Sequence, residues 1–399
     1  MLYFDHNATS PLLPVARAAW LEATEQFPGN PSSQHRLGAR ADRALEEARQ
    51  RLATILGCAA PDLVWTSGAT ESCNTVLHHA AMSAGAGGGA GRAGAARVCV
   101  SALEHPAVRE SAARAFGGRV DLIPATRDGT ADLGWLADHL GRARPALVAL
   151  MAANNETGVL QPWREAQALC AARGVPFFCD ATQWCGRLPA AGLGRCDFMA
   201  GSAHKFGGPR GLGFLKVPAA GALTPWLVGG KQEAQRRAGT ENVPAAVAAV
   251  AALAWCEEQI AAGGAEARAA VRARFERDLA AALPGLRING TGTPPPGGPA
   301  RLWNTVSVIV PDAGDAADCR VRWVVKLDKA GFAVSTGSAC ASGSEAPSPV
   351  LTAMGLTASE AARALRFSAG WLTPDGAWDE LRGALVRLHA ELGGGVAGA

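Results

Sequence analysis

A chain of 399 residues is longer than one hydrophobic core usually spans, and 48% hydrophobic with 18% charged residues is the balance of a soluble globular protein, so two domains sharing a cleft are expected. The 38 Lys and Arg stand against 35 acidic residues, and a net charge of only +3 without a basic, aromatic-laced run argues against nucleic acid as a partner. Ten cysteines with neither a CxxC pair nor the density of a disulfide scaffold, an opening Met1-Leu2-Tyr3-Phe4-Asp5-His6 unlike a signal peptide, and no run approaching a membrane span point to the reducing cytoplasm.

In chain order, residues 38–56 put Ala41, Leu45, Ala48, Leu52 and Ile55 on one helical stripe, with Ser32 and Ser33 as candidate caps. Short β-like runs at 63–66, 97–101, 119–123, 146–151, 175–179, 197–200 and 211–217 alternate with helical stretches. That rhythm predicts α/β architecture on a mostly parallel sheet. Residues 85–94, almost wholly Gly and Ala, cannot bury enough side chain to fix themselves and read as a mobile surface insertion. Residues 244–283 read as two helices split at Gly263-Gly264, followed by shorter strands at 287–289, 303–309, 332–335 and 365–368. Residues 294–299 read as a stiff loop and 393–399 as a frayed tail. The division expected is a large domain over 16–260 and a smaller α/β domain built from 1–15 with 261–399.

In an open parallel sheet, ligands gather where the strands end at their carboxyl edge. After 63–66 comes Ser67-Gly68-Ala69-Thr70-Glu71-Ser72, which fits either an ordinary capped helix or a nest of free N–H groups, with the Thr70 hydroxyl, for an anion. After 175–179 comes Asp180-Ala181-Thr182-Gln183, and after 197–200 comes Gly201-Ser202-Ala203-His204-Lys205. Of the five lysines, Lys205 alone follows a strand end with Ser and His beside it, whereas Lys326 and Lys329 read as solvated helix positions. Together these meet the needs of pyridoxal phosphate: a lysine amine for its aldehyde, a nest for its phosphate, and a carboxylate to keep its ring nitrogen protonated. Asp180 is the candidate ring-nitrogen partner, Gln183 could reach the ring hydroxyl, and His105 could stack on the ring or be a satisfied structural histidine. Of Asn154 and Asn155, one is expected to face the cofactor, though both could serve their Thr-Gly turn.

These motifs, in this order, resemble the cysteine desulfurases of the class V aminotransferase family, within fold type I pyridoxal-phosphate enzymes. The likeness runs through Asp5-His6-Asn7-Ala8-Thr9, Gly29-Asn30-Pro31-Ser32-Ser33, residues 66–72, 154–158, 180–183, 202–205, 237–242, 335–343 and 365–368. It implies a fold type I transferase in which Lys205 bears the cofactor, Asp180 meets its ring nitrogen and His105 stacks on the ring. Gln183 and Asn155 would contact cofactor or substrate, and Ala69, Thr70, Ser202 and His204 would hold the phosphate. Thr240 would reach the phosphate of a second subunit, making a homodimer, and Arg366 would grip the substrate carboxylate.

Cys340, in Ser335-Thr336-Gly337-Ser338-Ala339-Cys340-Ala341-Ser342-Gly343-Ser344, matches the family's nucleophile, in a stretch whose composition favours motion. The expected reaction converts L-cysteine to L-alanine and leaves a persulfide on Cys340 for a sulfur acceptor or iron–sulfur scaffold. No resident metal site is expected. The alternatives are a selenocysteine lyase, another aminotransferase or lyase of the same fold, and a silent binding module, the last opposed by the presence of Lys205 and Asp180. The chain departs from the family at Ala369-Gly370-Trp371, where Leu-Gly-Arg is common, and in the basic run Cys319-Arg320-Val321-Arg322-Trp323.

Overall fold

The structure, a computed structural model, describes residues 1–86, 96–218, 223–292, 300–311, 319–337 and 347–393. Its strands, in chain order, are β1 (Leu2–Tyr3), β2 (Leu63–Thr66), β3 (Val98–Ser101), β4 (Val120–Ile123), β5 (Val148–Ala149), β6 (Phe177–Asp180), β7 (Phe198–Ser202), β8 (Gly213–Lys216), β9 (Arg287–Ile288), β10 (Thr305–Ile309), β11 (Phe332–Ala333) and β12 (Ala364–Ser368). Seven form one sheet in the order β2-β8-β7-β6-β5-β3-β4. Only β8 runs against its neighbours, pairing antiparallel with both β2 and β7, so the carboxyl ends of the other six share one edge. The mostly parallel α/β architecture read from the sequence is therefore the one observed.

Its central strands are apolar along their length because helices cover both faces. Successive residues divide between the two cores: Val98, Val100, Phe178 and Phe198 meet the helices Ala69–Ala86 and Pro106–Ala115, while Cys99, Phe177, Cys179 and Met199 meet Arg36–Leu56, Trp163–Ala172 and Val243–Ala261. Helix Val243–Ala261 is apolar and long enough to cross a membrane, a test the sequence reading did not expect any run to meet. Val243, Ala246, Val250 and Leu253 are nevertheless buried in the core. The two helices over 244–283 do part at Gly263-Gly264.

The cap of the helix Arg36–Leu56 corrects the sequence reading. His35, not Ser32 or Ser33, is the N-cap, its Nδ1 accepting the Gly38 N–H at 3.1 Å, while the Ser32 N–H goes to the Asn30 side chain. The run expected over 146–151 shrinks to β5 at Val148–Ala149, although the Leu150 and Ala152 N–H groups still bond the Phe178 and Asp180 carbonyls of β6 at 3.0 and 2.9 Å. The stretches 87–95, 293–299, 312–318, 338–346 and 394–399, and with them the readings made for the Gly/Ala insertion, the stiff loop and the tail, lie outside the described residues.

A second, antiparallel sheet, β12-β10-β9, has its own core of Phe275, Val306, Val308, Trp323, Leu365, Phe367 and Trp378. Residues near the start of the chain belong to it: β1 pairs with β11, Phe4 is buried against Trp378, and Asp5 bridges Ser368. That path carries residues 6–9 from the second core to the edge of the large sheet.

One segment beside the large sheet is held in a strained shape. Glu233, Ala234 and Gln235 have φ of 49°, 54° and 66°, left-handed values that cost a non-glycine residue about 1–2 kcal/mol each. The Glu233 carboxylate offsets this. It takes two bonds of 2.8 Å from the Arg49 guanidinium and one of 2.9 Å from the Trp65 N–H of β2, all out of solvent. Removing the carboxylate leaves buried Arg49 with only the exposed Glu46, 3.1 Å from its Nε, as counter-charge, so Glu233→Ala should lower unfolding free energy by about 3 kcal/mol. Urea unfolding would measure it, and a loss below about 1 kcal/mol would show that the pair does not secure the segment.

Candidate active site

The shared carboxyl edge frames a cavity of about 480 Å³. Ser67, Gly68, Ala69 and Thr70 reach it after β2, His105 after β3, Asn155 after β5, Asp180 and Gln183 from β6, and Ser202, His204 and Lys205 from β7. Arg366 of β12 and Asn7, Ala8 and Thr9 close the other wall. The structure thus brings together Lys205, His105, Ala69, Thr70, Asn155, Asp180, Gln183, Ser202 and His204, named from separate strand ends, with Arg366, named from the family resemblance.

Lys205 sits where β7 breaks into a short turn of helix, Ala203–Lys205. Its Nζ donates to the carbonyls of Asn7 at 2.6 Å and Ala8 at 2.8 Å. Beside it, Gln183 Nε2 donates to the same Asn7 carbonyl at 3.0 Å, while Gln183 Oε1 and Thr182 Oγ1 are buried without a hydrogen-bond partner among the described residues. Asp180 closes β6, its Oδ1 accepting the Thr182 N–H at 3.0 Å. Room for the turn at 67–70 depends on glycine: a Cβ on Gly213, at the start of β8, would stand 2.6 Å from the Gly68 Cα.

Both histidines of the cavity are held below their usual range. Burial lowers His105, and the nearby Lys205 charge adds to this while Asp180 opposes it. Its Nδ1 accepts the Ala107 N–H at 3.1 Å, so the ring also caps the helix Pro106–Ala115. Burial, then the charges of Lys205, Arg210 and Arg187, push His204 down to about 4, with its Nδ1 3.1 Å from Thr9 Oγ1. Next to His105, the Glu104 carboxyl is raised well above its usual range, by burial and then by Asp180, and accepts the Met151 N–H.

The two adjacent amides divide the tasks left open between them. Asn154 builds the turn: its Oδ1 accepts the N–H groups of Glu156 at 2.9 Å and Thr157 at 3.0 Å, and its Nδ2 donates to the Leu103 carbonyl. Asn155 lines the cavity, and its carbonyl accepts from Arg366 Nη1 at 2.9 Å. Arg366 is 1% exposed; its Nη2 donates to Asp5 Oδ1 at 2.6 Å and its Nε has no partner among the described residues. Asp5, Asn7, Glu104 and Arg187 have contacts at this site to which the sequence reading assigned no role. The signal available was the motif Asp5-His6-Asn7-Ala8-Thr9, polar residues crowded into a short stretch.

Thr240 is exposed and does not line this cavity. Cys340 lies outside the described residues. Of the eight described free cysteines, seven are buried. Cys73 lines the cavity, yet burial holds its thiol well above the usual range, and Cys58, the least buried, is pushed up to about 11. Those two positions favour the unreactive thiol. Trp371, at the departure from the family pattern, is buried and donates from Nε1 to the Gly186 carbonyl at 2.7 Å.

The depressed value of His204 has a sign that can be checked. Between about pH 6.5 and about pH 4 the unfolded chain binds a proton at this residue and the folded site does not, so its contribution to stability falls as pH falls. In protein freed of cofactor, the His204 ring carbon signals should stay at their neutral positions down to about pH 5, and His204→Asn should make the urea midpoint less sensitive to acid. A ring that titrates near 6.5 would refute the assignment.

Comparison with known proteins adds an independent line. The family described as aminotransferase class-V matches residues 2–373. A cysteine desulfurase of Klebsiella pneumoniae is 36% identical over 373 residues, 92% of this chain and 87% of that protein. Among solved structures, a NifS-like protein superposes with a TM-score of 0.84 at 27% identity, covering 98% of this chain and 99% of its own. A structure titled SspA in complex with cysteine superposes with a TM-score of 0.75 at 25% identity, covering 92% and 98%. The family match over residues 2–373 and the 36% identity to a relative covered over most of its length agree: the chain belongs to the class-V aminotransferase family.

Proposed function

We propose that the protein is a cysteine desulfurase, which binds pyridoxal phosphate in this cavity and takes sulfur from L-cysteine as a persulfide on Cys340, leaving L-alanine. The observation that carries the proposal is the convergence of the Lys205 amine, the Asp180 carboxylate and the Arg366 guanidinium on one cavity. Support comes from the cysteine desulfurases among the relatives and from the relative solved with cysteine.

The residues fit the cofactor. The helix Ala69–Ala86 begins at the cavity, so its first N–H groups, which lack intrahelical acceptors, are available to a phosphate beside Thr70, Ser202 and His204. Asp180 would hold the ring nitrogen, and the unpartnered Gln183 Oε1 and Thr182 Oγ1 are polar atoms a ring substituent could satisfy. When bound, the cofactor supplies a sink for the electron pair left as the substrate Cα–H bond breaks.

This chain's residues do the rest. Arg366 orients the substrate through its carboxylate, as it already binds that of Asp5. Lys205 moves the proton at the substrate Cα; its amine is aimed by the Asn7 and Ala8 carbonyls. The Cys340 thiolate attacks the substrate sulfur. A sulfur–sulfur bond forms, the Cβ–S bond breaks, and the electron pair left on carbon takes a proton to give alanine. The persulfide sulfur then passes to an acceptor protein.

A second subunit belongs to this reading. Thr240 lies in a segment fixed at Arg237, which binds Glu71 at 2.9 Å, and Glu71 in turn accepts the Ser67 N–H at 2.8 Å. Close by, Trp226, Leu227 and Val228 are exposed, and the Ala238 N–H bonds the Leu227 carbonyl. An apolar patch beside an exposed threonine that does not line its own cavity suits contact with another copy.

Cys340→Ser should reduce alanine release from L-cysteine by about 100-fold or more and abolish alkylation-trapped persulfide, while borohydride still fixes the cofactor on the peptide containing Lys205. Near-normal alanine release, or label on another lysine, would overturn the reading. Sedimentation equilibrium should give a dimer, with Thr240→Ala weakening cofactor retention about tenfold and leaving unfolding of the cofactor-free protein nearly unchanged. A monomer that keeps its cofactor and its activity would reject the shared site.

A further inference from the structure

Glu156 belongs to the turn at 154–158, is absent from the cavity lining, and takes no part in the chemistry proposed above. Its side chain is nevertheless buried, with the residue 4% exposed, and it meets the chain at two distant points. Ser348 Oγ donates to Glu156 Oε2 at 2.6 Å, and the same Ser348 oxygen caps the helix Pro349–Ala353 by accepting the Leu351 N–H at 3.2 Å. On the other side is Gly337, with φ of 117°; a Cβ there would stand 3.0 Å from that same Oε2. Two residues earlier, Ser335 exchanges backbone hydrogen bonds of 3.1 and 2.7 Å with Arg366.

Gly337 and Ser348 flank the stretch that contains Cys340; Glu156 Oε2 accepts a hydrogen bond from Ser348 after it and lies close to Gly337 before it. Glu156 also follows directly on Asn155, whose carbonyl holds Arg366 at 2.9 Å. The group that would orient the substrate carboxylate and the two ends that would carry the nucleophile are thus joined within a few bonds.

We propose that Glu156 is a positioning residue for sulfur transfer: through Ser348 its carboxyl holds the chain after Cys340 beside Gly337 and against the turn that engages Arg366, while the chain before Cys340 is held by the Ser335–Arg366 pairing. This rests on the desulfurase reading above. A nucleophile carried between two fixed ends explores less space than one carried on a freed end, and its effective concentration at the substrate sulfur is correspondingly higher. The tie needs an acceptor at position 156 and a donor at position 348, so Glu156→Gln should keep most of it and Glu156→Ala or Ser348→Ala should lose it.

The test compares the cofactor-loaded wild type with Glu156→Gln, Glu156→Ala, Ser348→Ala and the double alanine variant. Three readouts are taken: L-cysteine binding from the cofactor absorbance, single-turnover persulfide on Cys340 by peptide mass spectrometry, and the rate at which iodoacetamide alkylates Cys340 without substrate. Both alanine variants should slow persulfide formation about tenfold or more, leave cysteine binding within about twofold, and alter the alkylation rate, with the double variant no worse than either single. Glu156→Gln should stay near wild type. Wild-type persulfide rates in the alanine variants, additive losses, or a parallel loss of cysteine binding and cofactor would overturn the positioning role. A wild type that makes alanine with no persulfide on Cys340 would overturn this role together with the desulfurase reading, whereas a persulfide-forming wild type leaves that reading intact whatever the variants do.

Discussion

Asn7 joins the two halves of the site. It is 1% exposed, and every polar group it has is bonded. Its Nδ2 donates to the Asn155 carbonyl at 3.1 Å and to Thr305 Oγ1 at 2.9 Å, and its Oδ1 accepts from Asn304 at 3.1 Å. Its N–H goes to Ser368 Oγ at 3.0 Å, while its carbonyl receives both Gln183 and Lys205. Asn155, Gln183 and Lys205 extend from the large sheet; Thr305 and Ser368 belong to the second. A buried network of this kind is stable only when complete, because each orphaned group carries its full desolvation penalty. The position of the lysine amine is thereby coupled to the packing of a sheet with a different core.

The electrostatics of the cavity follow from that enclosure. Lys205, Arg210 and Arg366 line it, with Arg187 buried behind, so far from water that its own pKa falls to about 10. Against them stand Asp180 and Asp5. A cationic, partly dry surround disfavours further positive charge at His204, whereas at His105 burial lowers the pKa against the opposing charge of Asp180. It also prepares the site for anions: a phosphate and a substrate carboxylate would each meet charge already in place, with no reorganisation at the moment of binding.

Much of this was legible from short-range pattern. Apolar runs alternating with helices marked the sheet, and the strand-end rule directed attention to Asp180, Gln183, His204 and Lys205, because an open parallel sheet forces those positions together whatever its loops do. The N-cap at His35 was missed because two serines nearby are the commoner residue type, and only the geometry of the turn at 30–35 selects the imidazole. The division between Asn154 and Asn155 depends on which amide points into its own turn, a matter of backbone dihedrals. Asn7, Asp5 and Glu156 were out of reach for a different reason. Their partners lie about 150 to 360 positions away along the chain, and no periodicity encodes such pairings.

The route of residues 2–9 also bears on the order in which the molecule can be made. Leu2 pairs with Phe332 and Asp5 with Ser368, so residues 2–5 have no strand to join until the chain past residue 331 exists. At about 5–20 residues per second the ribosome needs roughly 20 to 70 seconds to span that gap. Meanwhile β2 to β8 and their covering helices can emerge and fold before residues 2–5 find their strand partners. Catalytic competence in this architecture is then a late event of biosynthesis, reached only when the nascent chain closes on its own beginning.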